Sequence, residues 1–502
     1  MVSHRQALLD TQTAWAWLEK NLGLSFNAQR STSSTNPDLP TQLDPALVSD
    51  QAWLERALSA GTDSVVQLGP AALERFLETD PDKKLFRFAL QRLKRATHPK
   101  SVDWSLRAWQ LQERAGFGQF SVQKLLTLPQ LEECAAREPA LLKDEGFITT
   151  WLGRLVPGAD EDPERDPAAR KAYLERLENF AQPLSGAFNT LKAQVLHHRL
   201  NFDLSMGELN LPRFQAYLRL PRACVWIHPR TVEDDQQRNQ WVDEKRSFVR
   251  GMPAIGWDEP LVRALTEAFL ADAPNTRAFD DLLEPKWLRR TFAEIKILRG
   301  VGDMQRWYTL LNDPGYYESL KNRVELRFAP DQAERAPRAA RTVVDVEIKN
   351  VPELLVRVYK LQALNWYTAK LREPDPDMEL DGLVANAERR VKGEDNPLRR
   401  VTRSIEFPEC DEPGLYILEF IGSGKASRTV VRKGGLQTIV RRGAAGNALR
   451  VLDETGVWRR GLSSPFTRRS ALATRPSSSM SGSGSRSLAV YQLSACSLYT
   501  RT

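Results

Sequence analysis

Apolar side chains recur every three to four positions through the first two-thirds of the chain, and every second position from Thr342 onward. In "DKKLFRFALQRLKRA", Phe86, Leu90 and Leu93 stand at i, i+4 and i+7, while Lys84, Arg87, Gln91 and Lys94 fall mostly elsewhere. That spacing predicts an amphipathic helix packed through its apolar stripe. "YLERLENFAQPLSGAFNTLKAQVLHHRL" gives Tyr173, Leu177 and Phe180, then Pro183, then Phe188, Leu191 and Val195. Proline has no N–H to continue the ladder, so Pro183 either kinks one helix or separates two. "PLVRALTEAFL" and "PKWLRRTFAEIKIL" each open on a proline, which suits a first helical turn.

After Thr342 the period is two. In "TVVDVEIKNV", Val344, Val346 and Ile348 alternate with Asp345, Glu347 and Lys349, the pattern of a strand with one wet face. "ELLVRVYKL" sets Val356 and Val358 against Arg357 and Tyr359. "LYILEFI" is apolar on both faces, as a central strand would be. "SRTVVRK", "LQTIVRR" and "ALRVLDE" follow, separated by glycine-containing turns. The expected fold class is α+β: a mostly helical N-terminal two-thirds, then an antiparallel β-sandwich of the macroglobulin or fibronectin-III kind. Val356, Val358, Ile417 and Phe420 are its expected core positions.

Composition divides the chain further. Residues 27–45, "NAQRSTSSTNPDLPTQLDP", are too polar to offset the entropy of ordering. Residues 157–167, "PGADEDPERDP", form an acidic loop. The expected organisation is an N-terminal helix at 1–26, a linker at 27–50, helical regions at 51–156 and 163–335, the sandwich at 340–455, and a disordered Ser/Arg-rich tail at 456–502. The first residues show no secretory signal, and no apolar run is long enough for a membrane-spanning helix.

Charge narrows the partners. The net charge is +7, but seven arginines lie beyond Glu454 with no acid among them. Removing those seven from the 71 Lys and Arg leaves 64 cations against 64 acids in residues 1–454. A neutral body argues against specific nucleic-acid binding, although the tail alone could act as a basic arm. Cys134, Cys224, Cys410 and Cys496 form no C-x-x-C pair, so neither a disulfide framework nor a zinc site is expected. His197 and His198 are adjacent, hence about 100° apart on a helix; His198 reads as a core-edge residue.

One stretch imitates a phosphate-binding loop: "EFIGSGKASRTVVRKGGL", residues 419–436. A P-loop needs a second glycine five positions before Gly424, where Glu419 stands, and a hydroxyl after Lys425, where Ala426 stands. The residues that follow are strand-like, so Gly422 and Gly424 read as hairpin glycines with positive φ, and no nucleotide is expected.

Several segments also resemble a known family. "VVDVEIKNVPELLVRVYKLQALNWYTAKL", "LDGLVANAE" and "GLYILEFIGSGKASRTVVRKGGL" are similar to a module of the large bacterial-type alpha-2-macroglobulin family, through Lys349, Asn350, Val351 and Leu355, Leu380 to Val384, and Phe420 to Arg428. "FQAYLRLPR" and "LRRTFAEIKILRGVGDMQRWY" resemble its helical part. The resemblance implies a non-enzymatic fragment or short relative of a broad-spectrum endopeptidase inhibitor. No cysteine has thioester context, and no bait region is evident. It implies a protein partner, a protease among the candidates, with no catalytic, cofactor-binding or metal-ligating residues and no cofactor. The alternative is a polysaccharide lyase-like enzyme, helical domain plus sandwich, with His197, His198, His228, Tyr316 and Tyr317 as candidate acid and base.

Overall fold

The computed structural model describes residues 70–111, 116–158, 166–229, 241–329, 335–370, 374–380, 382–443 and 446–454, with the short pieces 42–43 and 67–68 and positions 161 and 163. The expected N-terminal helix and the tail at 456–502 lie outside these residues. The described chain divides into two compact units. The first holds the residues up to Val156, with Glu175–Leu191 and Arg246–Ala254; the second holds Pro157–Leu174, Lys192–Lys245 and everything from Ile255 onward.

In the first unit, α1 (Pro70–Glu78), α2 (Lys83–Arg92), α3 (Ser101–Gln110), α4 (Ser121–Leu125), α5 (Leu128–Arg137) and α6 (Glu145–Leu155) follow one another. Asp82 starts α2 by accepting from the N–H groups of Lys84 (2.8 Å) and Leu85 (3.0 Å), which satisfies two donors the helix leaves unpaired. The expected stripe is the buried one: Phe86, Leu90 and Leu93 are each 0% exposed. Burying each contributes roughly 1.5–3 kcal/mol. Asp144 ties the 116–120 loop to α6. Its carboxylate accepts from Phe117 N–H (3.0 Å), from Trp109 Nε1 (3.0 Å) and from Phe147 N–H (3.0 Å) at the helix start.

Pro183 separates two helices. α7 (Pro167–Ala181) ends before it, and α8 (Asn189–Ser205) begins after a 3-10 turn at Gly186–Phe188. Phe188, Leu191 and Val195 are buried and His198 is half-buried, so His198 is the edge residue the stripe predicts. α9 (Leu211–Leu218), α10 (Glu259–Leu270), α11 (Pro285–Arg299), α12 (Met304–Leu311) and α13 (Pro314–Asn322) complete the helices of the second unit's core. Phe214, Phe279, Leu283, Phe292 and Trp307 pack within it. Both proline-led segments are helices with proline in the first turn.

The β part follows in the same unit. Its strands are β1 (Glu325–Phe328), β2 (Arg335–Ala336), β3 (Val343–Lys349), β4 (Glu353–Leu361), β5 (Ala387–Lys392), β6 (Val401–Glu406), β7 (Gly414–Gly422) and β8 (Lys425–Lys433). One sheet runs β2-β8-β7-β4-β5 and the other β1-β3-β6. Every pairing is antiparallel except the short β2–β8 contact. Val344, Val346, Val356, Val358, Leu418 and Phe420 fill the space between the sheets. This is the helical part followed by a sandwich that the change of period predicts. β9 (Leu436–Gly443) and β10 (Gly446–Asp453) pair as a separate antiparallel ribbon.

Two positions depart from strict alternation. Tyr359 and Lys349, read as wet, are buried. The reason for Tyr359 is a second apolar layer on the outer face of the larger sheet. There Ile417 and Val430 pack with Ala363 of α14 (Ala363–Lys370) and with Met378 and Leu380. The reason for Lys349 belongs to the site described next. The hairpin at 419–436 is β7 turning directly into β8, with positive φ at Ser423 (47°) and Gly424 (76°). Gly422 does not supply positive φ as expected. A Cβ there would stand 2.4 Å from Val351 Cγ1 and 3.0 Å from Glu353 O, so close approach requires the glycine.

Candidate functional site

The second unit contains a cleft of about 600 Å³ where α10, α11 and α13 meet β1. Its walls are charged, and each of its four arginines is paired with a glutamate. Glu294 of α11 accepts from Tyr316 Oη (2.6 Å) and Arg323 Nη2 (2.6 Å), with Arg263 Nη1 at 3.4 Å. Arg323 also donates to Glu325 (2.6 Å), and Glu325 accepts from Arg400 (2.7 Å). Arg400 pairs in addition with Glu267, and Arg327 with Glu347 (2.6 Å). Burial pushes the Glu294 carboxyl up, but the bonds from Tyr316 and Arg323 outweigh it and hold the group below the usual carboxylate range. Glu325 is likewise lowered against burial, by Arg400 and Arg323.

Lys349 enters from beneath. At the end of β3 its Nζ donates to the backbone oxygens of Leu320 (2.5 Å) and Arg323 (2.8 Å). These close the C-terminal end of α13, where helices leave carbonyls unpaired. Burial pulls its pKa down to about 8. A run of ions bonded in this way joins helix to sheet.

The lyase candidates do not converge. Tyr316 is in the cleft, but its hydroxyl donates to Glu294, and burial and that carboxylate raise its pKa. Tyr317 packs edge-on against Tyr308, with centroids 5.0 Å apart. His197 packs against His198 and Tyr217, and burial, then the neighbouring His198, lower its pKa to about 4. His228 donates its backbone N–H to Leu282 O. No histidine lines the charged cleft among the described residues. Its arginines face glutamates, so none is left to neutralise a uronate carboxylate. Cys134, Cys224 and Cys410 are free thiols, and burial pushes each up to about 12, away from nucleophilic use.

A second feature lies in the first unit, on the exposed side of α2. Lys83, Lys84, Arg87 and Gln91 with Phe88, Gln119 and Phe120 enclose a cleft of about 670 Å³. The periodicity of "DKKLFRFALQRLKRA" indicates its buried stripe. The signal for the cleft is the complementary one, a helix of ten residues with four cations and no acid.

Comparisons with known proteins bear on both regions. A family profile described as "Actin-binding protein F N-terminal domain" matches residues 47–324. Another, "AbpF first immunoglobulin-like domain", matches residues 354–434. Among curated proteins, "Actin-binding protein F" of Dictyostelium discoideum is 25% identical over 462 residues. That similarity covers 87% of this chain and 19% of the relative, so the chain spans only a small part of that protein's length. No solved structure matches.

These matches overturn the alpha-2-macroglobulin resemblance, and with it the reading as an endopeptidase inhibitor; the lyase alternative falls with them. The physical reason is that the segments behind the resemblance are sandwich chemistry. Alternating strands and a glycine hairpin at Phe420 to Arg428 are what any antiparallel sandwich requires. The β module is immunoglobulin-like. The matched family is described by what it binds and not by a reaction. Among the described residues no helix is long and apolar enough to cross a membrane.

Proposed function

The chain belongs to the actin-binding protein F family, and from that premise we propose that it binds actin. The observation that carries the proposal is the family match over residues 47–324, more than half of the chain. The helical part presents the contact surface. The immunoglobulin-like module is a carrier joined to it through the charged cleft, where Glu294 and Arg323 from the helical match meet Glu325 and, through it, Arg400 from the other. The domain limits 51–156, 163–335 and 340–455 are part of this proposal.

The test is co-sedimentation of the whole chain with polymerised actin. Pelleting with filaments, above an actin-free control, is the expected result. A chain that stays in the supernatant with filaments, and also elutes separately from monomeric actin in gel filtration, contradicts it.

A further inference from the structure

We propose that Trp257, with Val225 on the adjoining segment, is the anchor by which the helical part seats in an apolar pocket on a subunit of the actin filament. This rests on the reading that the chain binds actin.

The fold leaves these two side chains in water while it buries their neighbours. Trp257 is 70% exposed and Val225 77%. Trp226, Ile255 and Asp258 beside them in sequence are buried. The Trp257 ring stands edge-on against Trp226, with centroids 4.5 Å apart and planes at 79°. Tryptophan combines a large apolar face with an N–H donor, a pairing that suits a contact with another protein.

The base beneath Trp257 is rigid. Three segments converge there: Val242 N–H donates to Pro221 O (2.9 Å), and Gly256 N–H donates to Glu244 O (2.9 Å). Cys224 Sγ donates to the Glu244 carboxylate (2.7 Å). Gly256 sits at a φ of 62°, in the left-handed region that favours glycine. On the other side, the Asp258 carboxylate accepts from Tyr217 Oη (2.5 Å) and faces Arg222 Nη2 at 3.0 Å. The Arg222 and Asp258 side chains are fully buried. Asp258 O then accepts from Val262 N–H (3.0 Å) in the first turn of α10. Trp257 is therefore held between a turn glycine and a buried ion pair. A backbone fixed in this way loses little freedom on binding, which lowers the cost of association.

Area and position identify the occupant. Trp257 and Val225 together offer roughly 300 Å² of apolar surface. A stable pair of copies needs about 800 Å² from each, so this surface is too small to hold a second copy of the chain. A single aromatic anchor instead fits a preformed pocket on a partner, where one such residue can carry most of the binding energy. Both residues lie within the family match over residues 47–324, the part to which the proposed function gives the contact surface.

The experiment uses the full chain as wild type, Trp257→Ala, Trp257→Phe and Val225→Ser. Both positions face solvent, so all four are expected to melt together. Each is titrated with polymerised actin, and the bound fraction is measured after centrifugation. Trp257→Ala should weaken binding at least about tenfold and Val225→Ser severalfold, while Trp257→Phe keeps most of the wild-type affinity. Equal affinity of wild type and Trp257→Ala overturns the proposal and leaves actin binding standing. If the melt of Trp257→Ala falls, Val225→Ser decides, and wild-type affinity in that variant overturns the proposal. If the wild type does not pellet, actin binding fails and the anchor fails with it. Sedimentation velocity of the chain without actin tests the other occupant. A wild-type dimer that Trp257→Ala returns to monomer would assign the surface to a second copy and overturn the proposal.

Discussion

Lys349 is a charged residue at a position its neighbours mark as wet, and its burial has a measurable signature. Below pH about 8 its ammonium is charged both folded and unfolded, and the folded state bears the cost of keeping it out of water. Between about 8 and the unfolded value near 10.4, the folded protein has released that proton and the unfolded chain has not. The unfolded state then binds more protons, so stability rises with pH across this window. Urea midpoints of wild type and Lys349→Met should therefore diverge in favour of wild type between those limits, by up to about 3 kcal/mol. A difference independent of pH would mean that the amine is solvated in the folded protein.

Glu294 provides a second residue-scale test. Its side chain is 6% exposed and faces Arg263 and Arg323, which keep Glu259 and Glu325 as further partners, so Glu294→Gln removes a shared charge without stranding either cation. The expected loss is about 1–3 kcal/mol in a denaturation curve. A loss under about 1 kcal/mol would class the network with ordinary surface pairs. Val358→Asp places a carboxylate between the sheets and should cost several kcal/mol. An unchanged curve would reverse the assigned faces of β4.

At the scale of elements, much was legible because period and burial coincide. Phe86, Leu90 and Leu93 specify the inner face of α2, and "LYILEFI" specifies a strand covered on both sides. β7 is that strand, flanked by β4 and β8. What alternation could not show was the outer layer, since α14 interrupts the strand order with a short helix. Tyr359 was misplaced for that reason. Gly422 illustrates the same limit, since a glycine's chemistry says that space or φ is needed, but not which. Gly422→Ala should destabilise by about 1–3 kcal/mol through crowding at Val351 and Glu353. A smaller effect than Gly424→Ala, where φ is 76°, would favour turn geometry as the dominant demand.

For the whole molecule, the charged cleft was not readable from sequence. Glu267, Glu294, Arg323, Glu325 and Arg400 are spread over more than a hundred positions of chain, and only folding brings them together. The basic cleft was half-readable, in that α2 displays its cations openly while its aromatic floor needs Phe120 from another element. Family membership was obscured because sandwich motifs are shared by many lineages, so a hairpin at Phe420 to Arg428 identified a geometry and not an ancestor. The neutral charge of residues 1–454 offers no basic footprint for a polyanion, while the proposed function depends on the family match over residues 47–324.

The most direct measurement is a binding isotherm of the whole chain on actin filaments, obtained by titrating filaments and quantifying the bound fraction after centrifugation. A bound fraction that rises to a plateau with filament concentration is the predicted result. A fraction that never exceeds the filament-free control at any concentration would contradict actin binding by this chain.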